Sequence, residues 1–455
     1  MAGAPQYYPA TLPGAFAIYD TRYGVTTATG VSQITSRVAG GPTLAQATTG
    51  LQPLLHPRYA ALGNKPAMLF DGTTKFRVGG ATAADWAAFH GAGGGDFTIV
   101  EFSYLATGSA YHTICATSNG SASAGFTFLT SNIHTMQDWI ANGTTQETES
   151  GPASVGLSSI HMFAVRKSGT TFTMDLDGTK GTPTTQVITP AAGAPQAPLQ
   201  WGASITSAPV ADKPWSGAKV WLGLFKAALS DNELAALRAW LRAQWEPERI
   251  LWVGDSTTAG LVGNTGGFRL RLQDQLIAAG MPFTTVGPTA DGFSEGGYVV
   301  DGRHYGVGAA TQASRLGGVL TGVMTTYPSE IAVLRLSIND IGPGTKTGAQ
   351  CLADTETLIG EVIALNATQR IVIGDCLSFG AYAPYLANEG ERLAYNAGLD
   401  VLAAAQRALG RRVVAWHLTS DPTTSDGLHP DDTATGYPSM AISGAAAIQA
   451  VRALA

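Results

Sequence analysis

Four apolar residues, Ile250-Leu251-Trp252-Val253, run straight into Gly254-Asp255-Ser256, and small residues follow from Thr257 to Gly260. A short apolar run closed by a glycine turn reads as a strand buried on both faces. Such a strand belongs in an open α/β sheet, with Ser256 standing where it stops. Ligands bind such sheets beyond the carboxyl ends of the strands. A serine there is a poor nucleophile until a base removes its proton. A base and an oxyanion site are therefore required downstream.

Near the C-terminus stands Ser425-Asp426-Gly427-Leu428-His429-Pro430. The spacing lets the Asp426 carboxylate reach one imidazole nitrogen of His429 and leaves the other for Ser256. An aspartate so placed fixes the histidine tautomer and stabilises the imidazolium as it forms. Ile331 to Leu336 is a second apolar strand, ending in Ser337-Ile338-Asn339-Asp340, and the Asn339 amide is a candidate oxyanion donor. His304 and His417 are the rival bases among eight histidines. His417 follows strand-like Val413 to Trp416 but has no carboxylate three residues before it. Asp255 is expected to bond backbone in the serine turn, and Asp340 to end its strand. The absence of Gly-x-Ser-x-Gly around Ser256 excludes the α/β-hydrolase elbow as template.

Gly254-Asp255-Ser256 after one strand, Asn339-Asp340 after another and Asp426-x-x-His429 near the end, in that order, resemble the SGNH (GDSL-type) hydrolase family. Gly266-Gly267-Phe268-Arg269 is similar to the family's first helix after the nucleophile loop. The resemblance covers about residues 249–455. It implies an α/β SGNH hydrolase domain over 247–455, with a flavodoxin-like three-layer parallel sheet. It also implies a serine esterase with Ser256, Asp426 and His429 as catalytic triad, working through an acyl-enzyme with no cofactor and no metal. The oxyanion hole would comprise the Ser256 N–H, the Asn339 amide and a glycine N–H. Gly308 is matched to that glycine; Gly306 is the rival, and only geometry separates them. His304 lies in the same glycine-rich stretch, which is expected to line the pocket and to bring it within reach of substrate.

Residues 1–246 read as an all-β domain. Phe97 to Tyr104, Thr171 to Leu176 and Lys219 to Phe225 have strand composition, separated by turns such as Gly93-Gly94-Gly95-Asp96 and Asp177-Gly178. Thr182 to Pro198 reads as a loop. Pro66 to Gly72, Asp96 to Val100 and Leu222 to Phe225 resemble concanavalin A-like, laminin-G-type jelly rolls, which implies a β-sandwich with a carbohydrate-binding role. Trp86, Trp139, Trp201 and Trp215 are candidate sugar-stacking residues, with core packing the favoured reading for each. Ser230-x-x-Glu233 is a capping box, and Leu234, Leu237, Leu241 and Trp245 follow at helical spacing before Pro247 ends the helix.

Charged residues make up 13% of the chain and net charge is −6, with no Lys/Arg run, which disfavours nucleic acid and anionic membrane as partners. Three cysteines without Cys-x-x-Cys read as buried thiols. No Sec-type signal peptide is visible, and the expectation is a soluble protein, cytoplasmic or virion-associated. The pairing of the two resemblances implies a carbohydrate O-acetyl esterase acting on acetylated polysaccharide, forming a homotrimer if it is a phage tail protein. The alternatives are a lipolytic esterase or thioesterase, and a glycan-binding tail protein with little activity.

Overall fold

The computed structural model describes residues 8–72, 76–79, 83–90, 95–106, 111–118, 124–131, 135–152, 155–157, 159–185, 195–204, 213–260, 267–295, 298–379, 382–422, 424, 426, 428–431, 433 and 435–454. The expected turn residues Gly93 and Gly94, the expected helix-opening Gly266, and Ser425 and Gly427 beside Asp426 lie outside them, as does most of the Thr182 to Pro198 loop. The chain divides into two compact units, Met1–Glu246 and Pro247–Ala455.

The first unit holds two antiparallel sheets, each of nine described strands. Phe97–Leu105 sits at the centre of one, between Ser159–Ser168 and Ser216–Phe225. Its nine residues are nearly all buried because both faces are covered. On the inner face Tyr19, Phe97, Ile99, Phe163 and Leu222 share one core with Ile114, Phe126, Phe128, Ile140 and Trp201 of the second sheet. On the outer face Val100, Phe102, Met162 and Val220 pack against the helix Asp231–Trp245. That helix opens with the expected capping box: Glu233 N–H donates to Ser230 Oγ and the Glu233 carboxylate accepts from Ser230 N–H. Leu234, Leu237, Leu241 and Trp245 are its buried face, and burying each contributes roughly 1.5–3 kcal/mol. Thr171–Leu176 turns at Asp177 and Gly178, φ +55° and +96°, into Thr179–Lys180. Positive φ at both positions makes this the tight hairpin turn whose twist matches its strands.

A buried ion pair crosses this core. Lys219 Nζ donates to Glu101 Oε1 at 2.6 Å, Trp201 Nε1 donates to Glu101 Oε2 at 2.8 Å, and the ammonium lies 3.7 Å from the Trp215 ring centroid. Burial pushes the Glu101 carboxyl up and the Lys219 ammonium down, and each charge opposes the shift of the other.

The second unit is α/β. Glu248–Gly254 pairs in parallel with Ile331–Arg335, and the sheet continues in parallel through Arg370–Gly374 to Arg412–Trp416. The four strands expected from the apolar runs are these. Two more, Phe283–Val286 and Tyr298–Gly306, pair in parallel with the other side of Glu248–Gly254, one with its first half and one with its end. The sheet is nevertheless mixed, because Thr289–Glu295 pairs antiparallel with Tyr298–Gly306 at its edge. Helices Gly267–Ala278 and Tyr437–Arg452 pack on one another, as do Gly348–Leu365 and Glu389–Ala408. Cys115, Cys351 and Cys376 are buried free thiols. No described helix is long and apolar enough to cross a membrane.

Candidate active site

The strand Glu248–Gly254 delivers Ser256 to the carboxyl edge of the sheet, where the turn Ser256–Ala259 begins. Asp255 caps this turn: its Oδ1 accepts from Thr257 N–H at 2.9 Å and from Thr257 Oγ1 at 2.7 Å. A Cβ on Gly254 would stand 2.0 Å from Thr258 Oγ1 and 2.8 Å from the Arg335 carbonyl oxygen. Only glycine lets the chain turn here with the neighbouring strand so close. Ser256 itself is 7% exposed.

Asp426 and His429 share a turn closed by an isolated bridge between Thr424 and Pro430. Asp426 Oδ1 accepts the backbone N–H groups of Leu428 and His429, at 2.9 and 2.7 Å, and Oδ2 lies 2.7 Å from His429 Nδ1. Burial works against the charged carboxylate, but the His429 backbone N–H, its imidazole and the Leu428 N–H outweigh it and hold the group down at about 2. An ionised Asp426 can only accept, so Nδ1 carries the imidazole proton. The bare Nε2 then faces Ser256 Oγ at 2.9 Å. The arrangement can take a proton from the hydroxyl.

Gly306 and Gly308 are now distinguishable. Gly306 ends its strand beside Gly254, and its N–H donates to His304 Nδ1 at 2.8 Å. A Cβ on it would lie 2.6 Å from Ala259 N, so this glycine lets the strand close on the serine turn. Its donor is already engaged. Gly308 lies in the turn Val307 to Ala310, exposed from Val307 to Ala309 and closed by the Ala310 N–H to Val307 carbonyl bond, with Ala309 at φ +57°.

Asn339 lies in the short helix Ile338–Ile341 at the end of the next strand. Its Nδ2 donates one hydrogen to the Ala310 carbonyl at 3.1 Å. Asp340, expected only to end a strand, accepts the Gln312 N–H at 2.8 Å on Oδ2. Two consecutive side chains therefore pin both sides of the loop that follows Gly308. Ser337, just before them, is buried at φ +136°, a conformation that costs a non-glycine residue roughly 1–3 kcal/mol.

His304 does not stand at a pocket rim. It is 1% exposed, and its ring supports the Gly306 turn, so the expected contact with substrate has no accessible ring surface to make it. His417 is held by two carboxylates, with Nδ1 2.8 Å from Asp375 Oδ1 and Nε2 3.1 Å from Asp400 Oδ1. Burial alone would lower this imidazole; the two carboxylates raise it instead. Both nitrogens are committed away from Ser256.

A second Ser–His–Asp set lies in the first unit, unforeseen because it depends on the register of two strands. Ser159 Oγ is 2.8 Å from His161 Nε2, and His161 Nδ1 is 2.6 Å from Asp177 Oδ2. Here Nε2 also faces the Gly156 carbonyl oxygen at 2.8 Å. A carbonyl has no proton to give, so the nitrogen that would have to receive the serine proton is itself the donor. The set ties the strand Ser159–Ser168 to the Asp177 turn and is not arranged to activate a serine.

Of the four tryptophans, Trp86, Trp201 and Trp215 are fully buried in the core. Trp139 is half-buried, 5.7 Å from the Tyr111 ring and 5.1 Å from Lys213 Nζ.

No family model matches the sequence, and no curated protein does. Among solved structures, the chain is similar to a Clostridium thermocellum family 3 carbohydrate esterase, at 22% identity and TM-score 0.39, over 46% of this chain and 99% of that one. It is similar to a carbohydrate esterase family 3 protein from Talaromyces cellulolyticus at 17% and 0.37, over 46% and 100%. It is also similar to the CBM40 of a Ruminococcus gnavus IT-sialidase, at 15% and 0.33, over 38% and 96%. Likenesses this distant leave the functional reading to the chain's own residues.

Proposed function

We propose that the second unit is a serine hydrolase of carboxylic esters, of the SGNH type, and that its substrate is an O-acetylated polysaccharide. The observation that carries the reading is the line Ser256 Oγ, His429 Nε2 and Nδ1, Asp426 Oδ2, with steps of 2.9 and 2.7 Å. His429 takes the Ser256 proton as Oγ attacks the ester carbonyl. The oxyanion is met by the N–H groups of Ser256 and Gly308 and by the second hydrogen of the Asn339 amide. Gly308 is preferred to Gly306 because the Gly306 N–H is spent on His304. His429 returns the proton to the departing sugar hydroxyl, leaving an acyl-enzyme. Water, losing its proton to His429, then attacks the acyl carbon, and His429 hands that proton to Ser256 Oγ as the acid leaves. The blocks Gly-Asp-Ser, Asn-Asp and Asp-x-x-His on one mainly parallel sheet support the SGNH assignment. Two sheets sharing a core support a jelly-roll partner, with Trp139 as its sugar contact.

The test is acetate release from a panel of acetylated polysaccharides by the full chain, with Ser256→Ala and His429→Ala beside it. Release abolished in both variants is the expected result. Full activity in Ser256→Ala would refute the catalytic assignment. Turnover of longer acyl esters in preference to acetate would refute the deacetylase reading and select a lipolytic esterase or thioesterase. Light scattering tests the phage-tail setting, for which a trimer is expected and a monomer is contrary.

A further inference from the structure

Behind Ser256 runs a buried polar chain that takes no direct part in the proposed reaction. It starts at Arg335, the last residue of Ile331–Arg335 and the one charged residue in that strand. The side chain is 3% exposed. Nη1 donates to Thr257 Oγ1 at 2.9 Å, and Thr257 donates in turn, through Oγ1 and N–H, to Asp255 Oδ1. The guanidinium lies 5.7 Å from the Phe268 ring centroid and 5.5 Å from that of Trp416. Its Nε and Nη2 have no hydrogen-bond partner among the described residues. Stability gives no reason for this choice, since an apolar side chain here would avoid the desolvation of a charge.

We propose that Arg335 is a positioning residue: through Thr257 it holds the Asp255 carboxyl in place and so fixes the turn that presents Ser256 to His429. The inference rests on the hydrolase reading above. Burial pushes the Asp255 carboxyl up, and Arg335 is the largest opposing influence, ahead of the two Thr257 hydrogen bonds and His429. Arg315 and Cys376 also face Asp255, and Asp375 and Tyr437 face Arg335. Only Arg335 among these cations reaches Asp255 through a shared hydrogen-bond partner in the described residues. A protonated Asp255 would accept more weakly from Thr257. It would also no longer stabilise the positive charge that forms on His429.

The sign follows. Removing the cation lets Asp255 take up its proton at higher pH, so activity is lost as pH falls through that new value and returns above it. The experiment is kcat/KM against pH on p-nitrophenyl acetate for the wild type, Arg335→Lys, Arg335→Met, Asp255→Asn and the double variant. The acid limb of Arg335→Met is expected to move to higher pH, with about a tenfold loss at the acid end for each unit moved. Arg335→Lys should keep the wild-type limb. The double variant buries no orphaned carboxylate; it should fold even where Arg335→Met does not, and be no slower than Asp255→Asn alone. A loss by the same factor at every pH, or additive losses in the double variant, would overturn the proposal. Ser256→Ala, assayed in parallel, separates the two levels. If it stays active, the hydrolase reading and this inference both fall. If it is inactive while the Arg335→Met profile parallels wild type, this inference alone falls.

Discussion

Replacing Asn339 by alanine separates chemistry from support. The amide has two hydrogens, and one is bonded to the Ala310 carbonyl at 3.1 Å. That bond is neutral and holds a loop also pinned by the Gln312 N–H to Asp340 bond, so its loss should cost stability only about 1 kcal/mol. The other hydrogen, as an oxyanion donor, should be worth roughly 10²–10³ in kcat, or about 2.7–4 kcal/mol in the transition state. The transition-state effect is therefore about three to four times the folding effect, and the two are separable in one variant. The assay is kcat and KM on p-nitrophenyl acetate together with a thermal melt. A donor used only in the transition state lowers kcat and leaves KM in place. Asp340→Asn is the control, since it weakens the loop and keeps the amide; it should lose far less activity than Asn339→Ala. The reasoning is refuted if Asn339→Ala loses less than about tenfold in kcat, or if Asp340→Asn loses as much.

Asp426→Asn should drop kcat by roughly 10⁴, because an amide no longer enforces a proton on Nδ1, and a pH profile of the wild type checks the partner claim. The Asp426 carboxyl is held down at about 2 against an ordinary 3.8. Its contribution to stability is thus present above the ordinary value and lost only as pH falls through about 2, so it should add no acid limb near neutrality. Ser337→Gly should raise stability by about 1 kcal/mol, the relieved strain of roughly 1–3 kcal/mol less the chain entropy that glycine adds, read as a higher melting temperature; a lower one would show that the side chain outweighs the strain. Lys219→Met leaves Glu101 buried without its cation and should cost the first unit about 3–5 kcal/mol. Adding Glu101→Gln should recover much of it, and no recovery in chemical denaturation would contradict the ion-pair account.

What was legible in the sequence was whatever local chemistry sets. The capping box at Ser230 and Glu233 and the apolar stripe to Trp245 were readable because both depend on neighbours three or four residues away. Four of the parallel strands were readable because each is built on an apolar run; Phe283–Val286, with two central threonines, was not. The hairpin Thr289–Glu295 with Tyr298–Gly306 was not, since its glycines and acids carry no alternation. The helix Tyr437–Arg452 was missed as well, because the small residues Ala441, Ser443, Gly444, Ala445 and Ala447 break up the apolar stripe on its buried face. In the site, Ser256, Asn339, Asp426 and His429 were named from order and spacing. The support beneath them was not, because its main bonds join residues far apart in sequence: Arg335 with Thr257, Asp340 with Gln312. One signal was present, a single arginine in an apolar strand. His304 was misjudged because a glycine-rich stretch reveals a loop but not which side of it a ring occupies.

The central claim is that Ser256 is the activated serine, and covalent labelling tests it most directly. Ser256 Oγ should attack the phosphorus of a p-nitrophenyl phosphonate, displacing p-nitrophenolate and leaving a stable phosphonyl adduct, located by mass spectrometry. The account predicts the adduct on the tryptic peptide 250–269, and none there in His429→Ala. An adduct on Ser159, or an unlabelled Ser256 in an esterase that the reagent has inactivated, would contradict it.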